Sequence, residues 1–133
     1  MAIRGIRGAT TVAADEPQAI FDATRELLKE IMEQNGEMRT EDIASACFTL
    51  TEDLCMAYPA QAARQMGWEA VPMLCTREIP VPHSLPRILR VLIHWNTEVP
   101  QSGIRHVYLH DAAQLRPDLA PAQQARTVAG RNE

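Results

Sequence analysis

Long apolar runs are missing from this sequence: no stretch approaches 18 uncharged apolar residues, so it holds no candidate membrane-spanning helix. Met1 to Val12 carries Arg4 and Arg7 where a signal peptide would need its apolar segment, which argues against secretion. Cysteine is scarce. Cys47, Cys55 and Cys75 are an odd number, at spacings of eight and twenty, and match neither a disulfide framework nor a CxxC ligand set. A reducing, cytoplasmic setting is the expectation. No P-loop, GxGxxG, HExxH or GxSxG occurs, which removes the usual anchors for phosphate, dinucleotide, zinc-protease and serine-hydrolase chemistry. Lysine is almost absent too, Lys29 being the one lysine among thirteen basic residues. Seventeen acidic residues bring the net charge to −4, so no global field draws nucleic acid or anionic lipid, and any anion site must be local.

What is present is a chain of 133 residues, 46% hydrophobic, enough for one domain with a real core and too short for two. Residues 1–120 are expected to form that domain, and residues 121–133 a mobile tail, the chain from Ala112 on being rich in Ala, Gln and Pro. Met1 to Val12 reads as a strand. Asp15 and Pro17 open a helix whose apolar positions Ile20, Ala23, Leu27, Leu28, Ile31 and Met32 recur at helical spacing until Asn35-Gly36. Thr40 is placed as the cap of a short turn, followed by a strand over Ala44 to Thr51. Pro59 opens a short helix that Gly67 ends. Val71 to Thr76 is strand-like, and Pro80 and Pro82 then exclude central pairing. Ile88 to Asn96 is the clearest strand, with Leu89, Val91, Ile93 and Trp95 on one side and Arg90, Leu92 and His94 on the other. A last strand is expected over Arg105 to His110. This order predicts an α+β domain, a mixed sheet with helices on one face, and leaves the other face for solvent, ligand or a second subunit.

Twelve arginines are the distinctive chemical feature, because guanidinium grips planar carboxylates through two hydrogen bonds. Arg7, Arg64, Arg90 and Arg116 stand near the ends of elements or beside turns; by position alone each reads as a surface arginine. Glu78 reads as the ion-pair partner of Arg77 or Arg87, Cys75 as a small buried hydrophobe, and Tyr108 as a half-buried strand aromatic with a wet hydroxyl. His106 and His110 lack the accompanying Cys or carboxylate pattern of a metal site, and none is assigned.

The segment Arg4-Gly5-Ile6-Arg7-Gly8-Ala9-Thr10 resembles the opening of the small monofunctional chorismate mutases of the AroH class. Four later blocks and a short Arg90-Val91 match agree in order: Tyr58-Pro59-Ala60, Val71-Pro72 running to Cys75 and Glu78, Arg105-His106-Val107-Tyr108-Leu109, and Leu115-Arg116-Pro117-Asp118-Leu119. The resemblance implies a pseudo-α/β-barrel homotrimer with active sites between subunits, like the bacillus enzyme. It also implies the Claisen rearrangement of chorismate to prephenate, on the way to phenylalanine and tyrosine, without cofactor, metal or covalent intermediate.

Carried over by resemblance, Arg90 is the cation at the breaking ether bond. Arg7, with Tyr108 nearby, grips a carboxylate and positions the enolpyruvyl arm. Glu78 takes a hydrogen bond from the ring hydroxyl, with Cys75 beside it. In a regular strand Cys75 and Glu78 would face opposite sides, so a bulge or turn is expected between them. Tyr58 and Ala60 match wall residues, Arg64 a cation at the rim, and Leu115 and Arg116 a late segment that helps cover the ligand. Arg7, Glu78 and Arg90 are expected from one chain and the Tyr58 to Arg64 group from its neighbour. Gln61 stands where family members carry Lys, a departure confined to the rim. Two other readings are a non-catalytic trimeric sensor of an aromatic-pathway dicarboxylate and a trimeric imine deaminase-like hydrolase; the motifs of the latter are missing, and Arg90 beside Glu78 argues against the former.

Overall fold

Alternation along Ile88–Thr97 sets the two faces of the sheet. Leu89, Val91, Ile93 and Trp95 are buried, whereas Arg90 and Leu92 are exposed and His94 half-buried, as the period of two requires. The computed structural model describes residues 1–116. It contains β1 (Ala2–Thr11), α1 (Pro17–Gln34), β2 (Ile43–Leu50), α2 (Pro59–Gln65), β3 (Met73–Arg77), β4 (Ile88–Thr97) and β5 (Val107–Tyr108). Short 3₁₀ turns occupy Thr40–Asp42, Gln101–Gly103 and His110–Leu115. The strands form one mixed sheet in the order β3-β2-β4-β1-β5, antiparallel at β2-β4 and β4-β1 and parallel at the two outer pairs. The expected tail, residues 121–133, lies outside the described residues.

Helix α1 buries Ile20, Leu27, Leu28 and Ile31 in the same core as Ile6, Phe48, Leu89, Val91, Ile93 and Trp95. Each such side chain contributes about 1.5–3 kcal/mol of burial. Its close seat on β1 depends on Gly8, where an added Cβ would lie 2.6 Å from Ile31 Cδ1 and 3.2 Å from Val91 Cγ1. Helix α2 ends as its sequence indicates. Gly67 has φ +99, its N–H donates to Arg64 O, and the Trp68 N–H donates to Ala63 O, the paired bonds of a Schellman motif.

Four expectations need correction. The last strand is two residues long, not six: His110 adopts φ +53 and turns the chain into the 3₁₀ segment directly after Leu109 N–H bonds Ala9 O. The third strand begins at Met73, two residues later than expected, because the Val71 N–H is already spent on Trp68 O and Pro72 has no N–H to donate. Thr40 is no cap; Arg39 holds that position without a side-chain bond. The carboxylate of Asp15 does not cap α1 either, but accepts from the N–H groups of Cys55 and Met56 at 2.9 and 3.1 Å, tying the start of α1 to the loop before α2.

Candidate active site

The sheet face away from α1 carries a compact set of charged groups. Pairing of Ala9 with Arg90 and Thr49 with Arg90 places β1, β2 and β4 side by side there, and one hydrogen bond from Glu78 N–H to Leu50 O carries Glu78 just past the end of β3. Arg90 Nη1 lies 3.3 Å from Glu78 Oε2, and the Thr49 hydroxyl donates to that same oxygen at 2.6 Å. Arg7, Glu78, Arg90 and Tyr108, with Cys47, Thr49 and Leu92, line a cavity of about 270 Å³. With the Arg90 side chain 45% exposed, the ion pair contributes little to stability. Its guanidinium is therefore available to a ligand.

Backbone on either side fixes these groups. Arg87, two residues before β4 reaches Leu89, has φ +49, and its N–H is held by both oxygens of Asp53 at 3.1 and 3.0 Å. Its Nε donates to Val12 O at 2.9 Å. Tyr108 is 2% exposed, more deeply buried than the half-buried strand aromatic expected, and packs with Ala9, Ile88, Ala112 and Ala113, with Leu115 against them. Arg116 follows Leu115 closely enough for its charge to act on His106.

The structure does not bring the other expected residues to this cavity within one chain. The β2-β3 pairing runs in unbroken register from Ala46↔Met73 to Leu50↔Arg77, without the expected bulge. Cys75 therefore stays on the core side with Phe48, while Glu78 meets Thr49 and Arg90 on the other. Burial raises the Cys75 pKa, and Cys47 adds to the rise; the Ala60 backbone and Arg64 oppose it. The net result is a neutral thiol and not a thiolate nucleophile. Cys75 thus keeps company with Ala60 and Arg64 of α2. Tyr58, Gln61 and Cys75 line a second cavity of about 600 Å³ together with Phe21, Leu54 and Arg77. Tyr58 is 69% exposed, a large side chain left largely uncovered by the described residues.

Residues 3–119 match the family described as chorismate mutase type I. The chain belongs to the chorismate mutase type I family. It is 58% identical over 121 residues to the chorismate mutase AroH of Thermus thermophilus, covering 91% of this chain and 99% of that protein. Identity to the chorismate mutase AroH of Bacillus subtilis (strain 168) is 44% over 121 residues, or 90% and 94% of the two chains. A solved chorismate mutase structure from Clostridium thermocellum superposes with a TM-score of 0.80 at 46% identity, covering 83% of this chain and 97% of that one.

In this chorismate mutase chain, Arg7, Glu78, Arg90 and Tyr108 are the expected site residues that one cavity gathers; Tyr58 and Cys75 belong to another, next to Ala60 and Arg64. Reasoning from sequence missed Thr49 and Asp53, which belong to no motif, and gave Asp15 and His106 other roles; only strand register and loop path reveal what the four hold. His106 and His110 diverge: His106 Nδ1 accepts from the Arg7 N–H at 2.9 Å, and His110 Nε2 lies 2.9 Å from Glu26 Oε1. Among the described residues no group of three or more His, Cys, Asp or Glu could hold a metal ion. No helix among them is long and apolar enough to cross a membrane.

Proposed function

We propose that the cavity of Arg7, Glu78, Arg90 and Tyr108 is one half of the site in which this chorismate mutase works. The enzyme is an intramolecular isomerase that converts chorismate to prephenate in aromatic amino acid biosynthesis. The observation that carries the site reading is that Arg7, Arg90 and Glu78 line one cavity in a chain of this family.

The chemistry needs these groups. Chorismate is a flexible dicarboxylate, and its rearrangement requires the enolpyruvyl arm to lie folded over the ring before any bond moves. A carboxylate held by Arg7 fixes that arm. As the ether bond stretches, negative charge grows on its oxygen, and a fixed Arg90 guanidinium there binds the transition state more tightly than the substrate. Glu78 accepts from the ring hydroxyl; Thr49 and Arg90 both engage its Oε2, which leaves Oε1 free of any hydrogen bond from the described residues. No proton transfer or electron acceptor enters, so the residues act by orienting the substrate and stabilising the charge that develops on the ether oxygen.

The second half of the site comes from a neighbouring subunit of a homotrimer. Two features support this. A cavity of about 270 Å³ falls below the roughly 300–1,000 Å³ of complete ligand pockets. Apolar Ile3, Leu74, Ile79, Val81 and Leu92 are exposed, at 39–76%, and a neighbouring subunit would cover them. In the assembly, Tyr58, Ala60, Arg64 and Cys75 would close one neighbour's cavity, with Leu115 and Arg116 covering it from the chain that supplies Arg7. Three free cysteines fit a reducing cytoplasm.

The deciding experiment follows the loss of chorismate absorbance in EDTA and identifies the product by acid conversion to phenylpyruvate. Prephenate formation is expected. Chorismate binding without turnover would instead make the protein a sensor and remove the catalytic roles assigned here.

A further inference from the structure

The outer edge of β1 lacks a full partner strand. Pairing with β5 covers only Gly8↔Val107 and Ala9↔Tyr108, which leaves the earlier edge groups of β1 to other partners. Two side chains stand in for a strand. The Gln101 amide accepts from the Gly5 N–H at 3.2 Å and donates to Gly5 O at 2.9 Å. The next N–H on that edge, from Arg7, goes to His106 Nδ1 at 2.9 Å. An imidazole that accepts at Nδ1 is neutral and carries its proton on Nε2.

We infer that His106 is a positioning residue for Arg7: its neutral imidazole holds the arginine backbone in the register from which the guanidinium reaches a substrate carboxylate. The inference rests on the reading of Arg7 given above. Protonation would turn the acceptor into a donor facing another donor, and would set a third cation beside Arg7 on β1 and Arg116 at the end of the 3₁₀ segment. The surroundings work against that state. Burial lowers the His106 pKa below its ordinary value of 6.5, and the charges of Arg7 and Arg116 lower it further. The bond therefore persists through neutral pH and fails only in acid.

The test compares kcat and KM between pH 8 and 4.5 for the wild type, His106→Asn and His106→Leu, with circular dichroism confirming a folded chain at each pH. Asn places an acceptor oxygen near the position of Nδ1 and does not titrate. The wild type should lose kcat/KM in acid through KM, and His106→Asn should match it at pH 7.5 and lack that loss. His106→Leu should raise KM about tenfold at all pH, the equivalent of one lost hydrogen bond with its donor left behind, while kcat changes little. An acid loss that persists in His106→Asn overturns the inference, as does a folded His106→Leu with wild-type KM. If the leucine variant does not fold, the asparagine variant and the ring titration decide. NMR titration of the ring, read with the Arg7 amide shift, needs no turnover. A ring titrating below 6.5 in step with Arg7 supports the coupling, and an Arg7 amide indifferent to it overturns the inference even in an active enzyme. Coupling in a protein that does not turn over chorismate would overturn the proposed function instead.

Discussion

Arg90 and Thr49 meet the same carboxylate oxygen, yet removing each has a different consequence. Under the proposed role, Arg90→Ala deletes a cation whose interaction would strengthen as the ether bond breaks. Turnover should fall by at least the about 10²- to 10³-fold seen when one oxyanion donor is lost, with KM much less affected. Steady-state kinetics on chorismate check this, and unchanged kcat would remove Arg90 from the chemistry. Thr49→Val keeps the shape and deletes the 2.6 Å hydrogen bond to Glu78. Hydrogen bonds to charged groups contribute about 1.5–3 kcal/mol, so kcat/KM should drop about tenfold or more. Thr49→Ser, which restores a hydroxyl, should recover most of it; equal loss in both variants would show a packing effect and not an oriented carboxylate. Arg90, Glu78 and Arg7 were legible because family resemblance singles them out among ordinary surface charges. Thr49 was not, because its role exists only once the Thr49↔Arg90 register is known.

Elements formed where local and tertiary signals agree. Helix α1 was legible from end to end, since Pro17, an apolar stripe and Asn35-Gly36 all specify the same 18 residues. The final strand was misread because alternation in Arg105 to His110 ignores the left-handed turn at His110, which is set by packing of the following segment against Ala9 and Tyr108. Alternation also predicted opposite faces for Cys75 and Glu78. The unbroken β2-β3 register obeys it, and the bulge invoked to reunite them is absent. Gly8 gives the sharpest prediction at this scale. A Cβ there meets Ile31, Val91 and Leu27, all buried, so Gly8→Val should overpack the α1-β1 seat and cost about 1–3 kcal/mol. Thermal unfolding measures the loss; an unchanged Tm would mean that α1 shifts freely on the sheet.

At the scale of the whole molecule, the two groups of candidate residues lie on opposite faces of one sheet, and under the proposed homotrimer a substrate bridging them would sit between copies of the chain. Arg90 stands with Glu78 on the open face, whereas Arg64 acts on Cys75 from α2. A cyclic arrangement of three chains uses a head-to-tail contact, in which each chain offers its Arg90 face to one neighbour and its α2 face to the other. Arg90→Ala and Arg64→Ala should then each be impaired alone. Co-refolded in equal amounts, they should regain activity, because a site that takes Arg90 from one variant and Arg64 from the other is intact. Random mixing places such a pair at about a quarter of the interfaces of a closed ring, so recovery should approach a quarter of the wild-type rate. Recovery no greater than the mean of the two parents would place both arginines in the same site of a single chain, or outside the site altogether. Sedimentation of the same mixture reads the assembly independently. A wild-type monomer with full activity would show that one cavity of about 270 Å³ suffices and that the apolar open face serves some other contact.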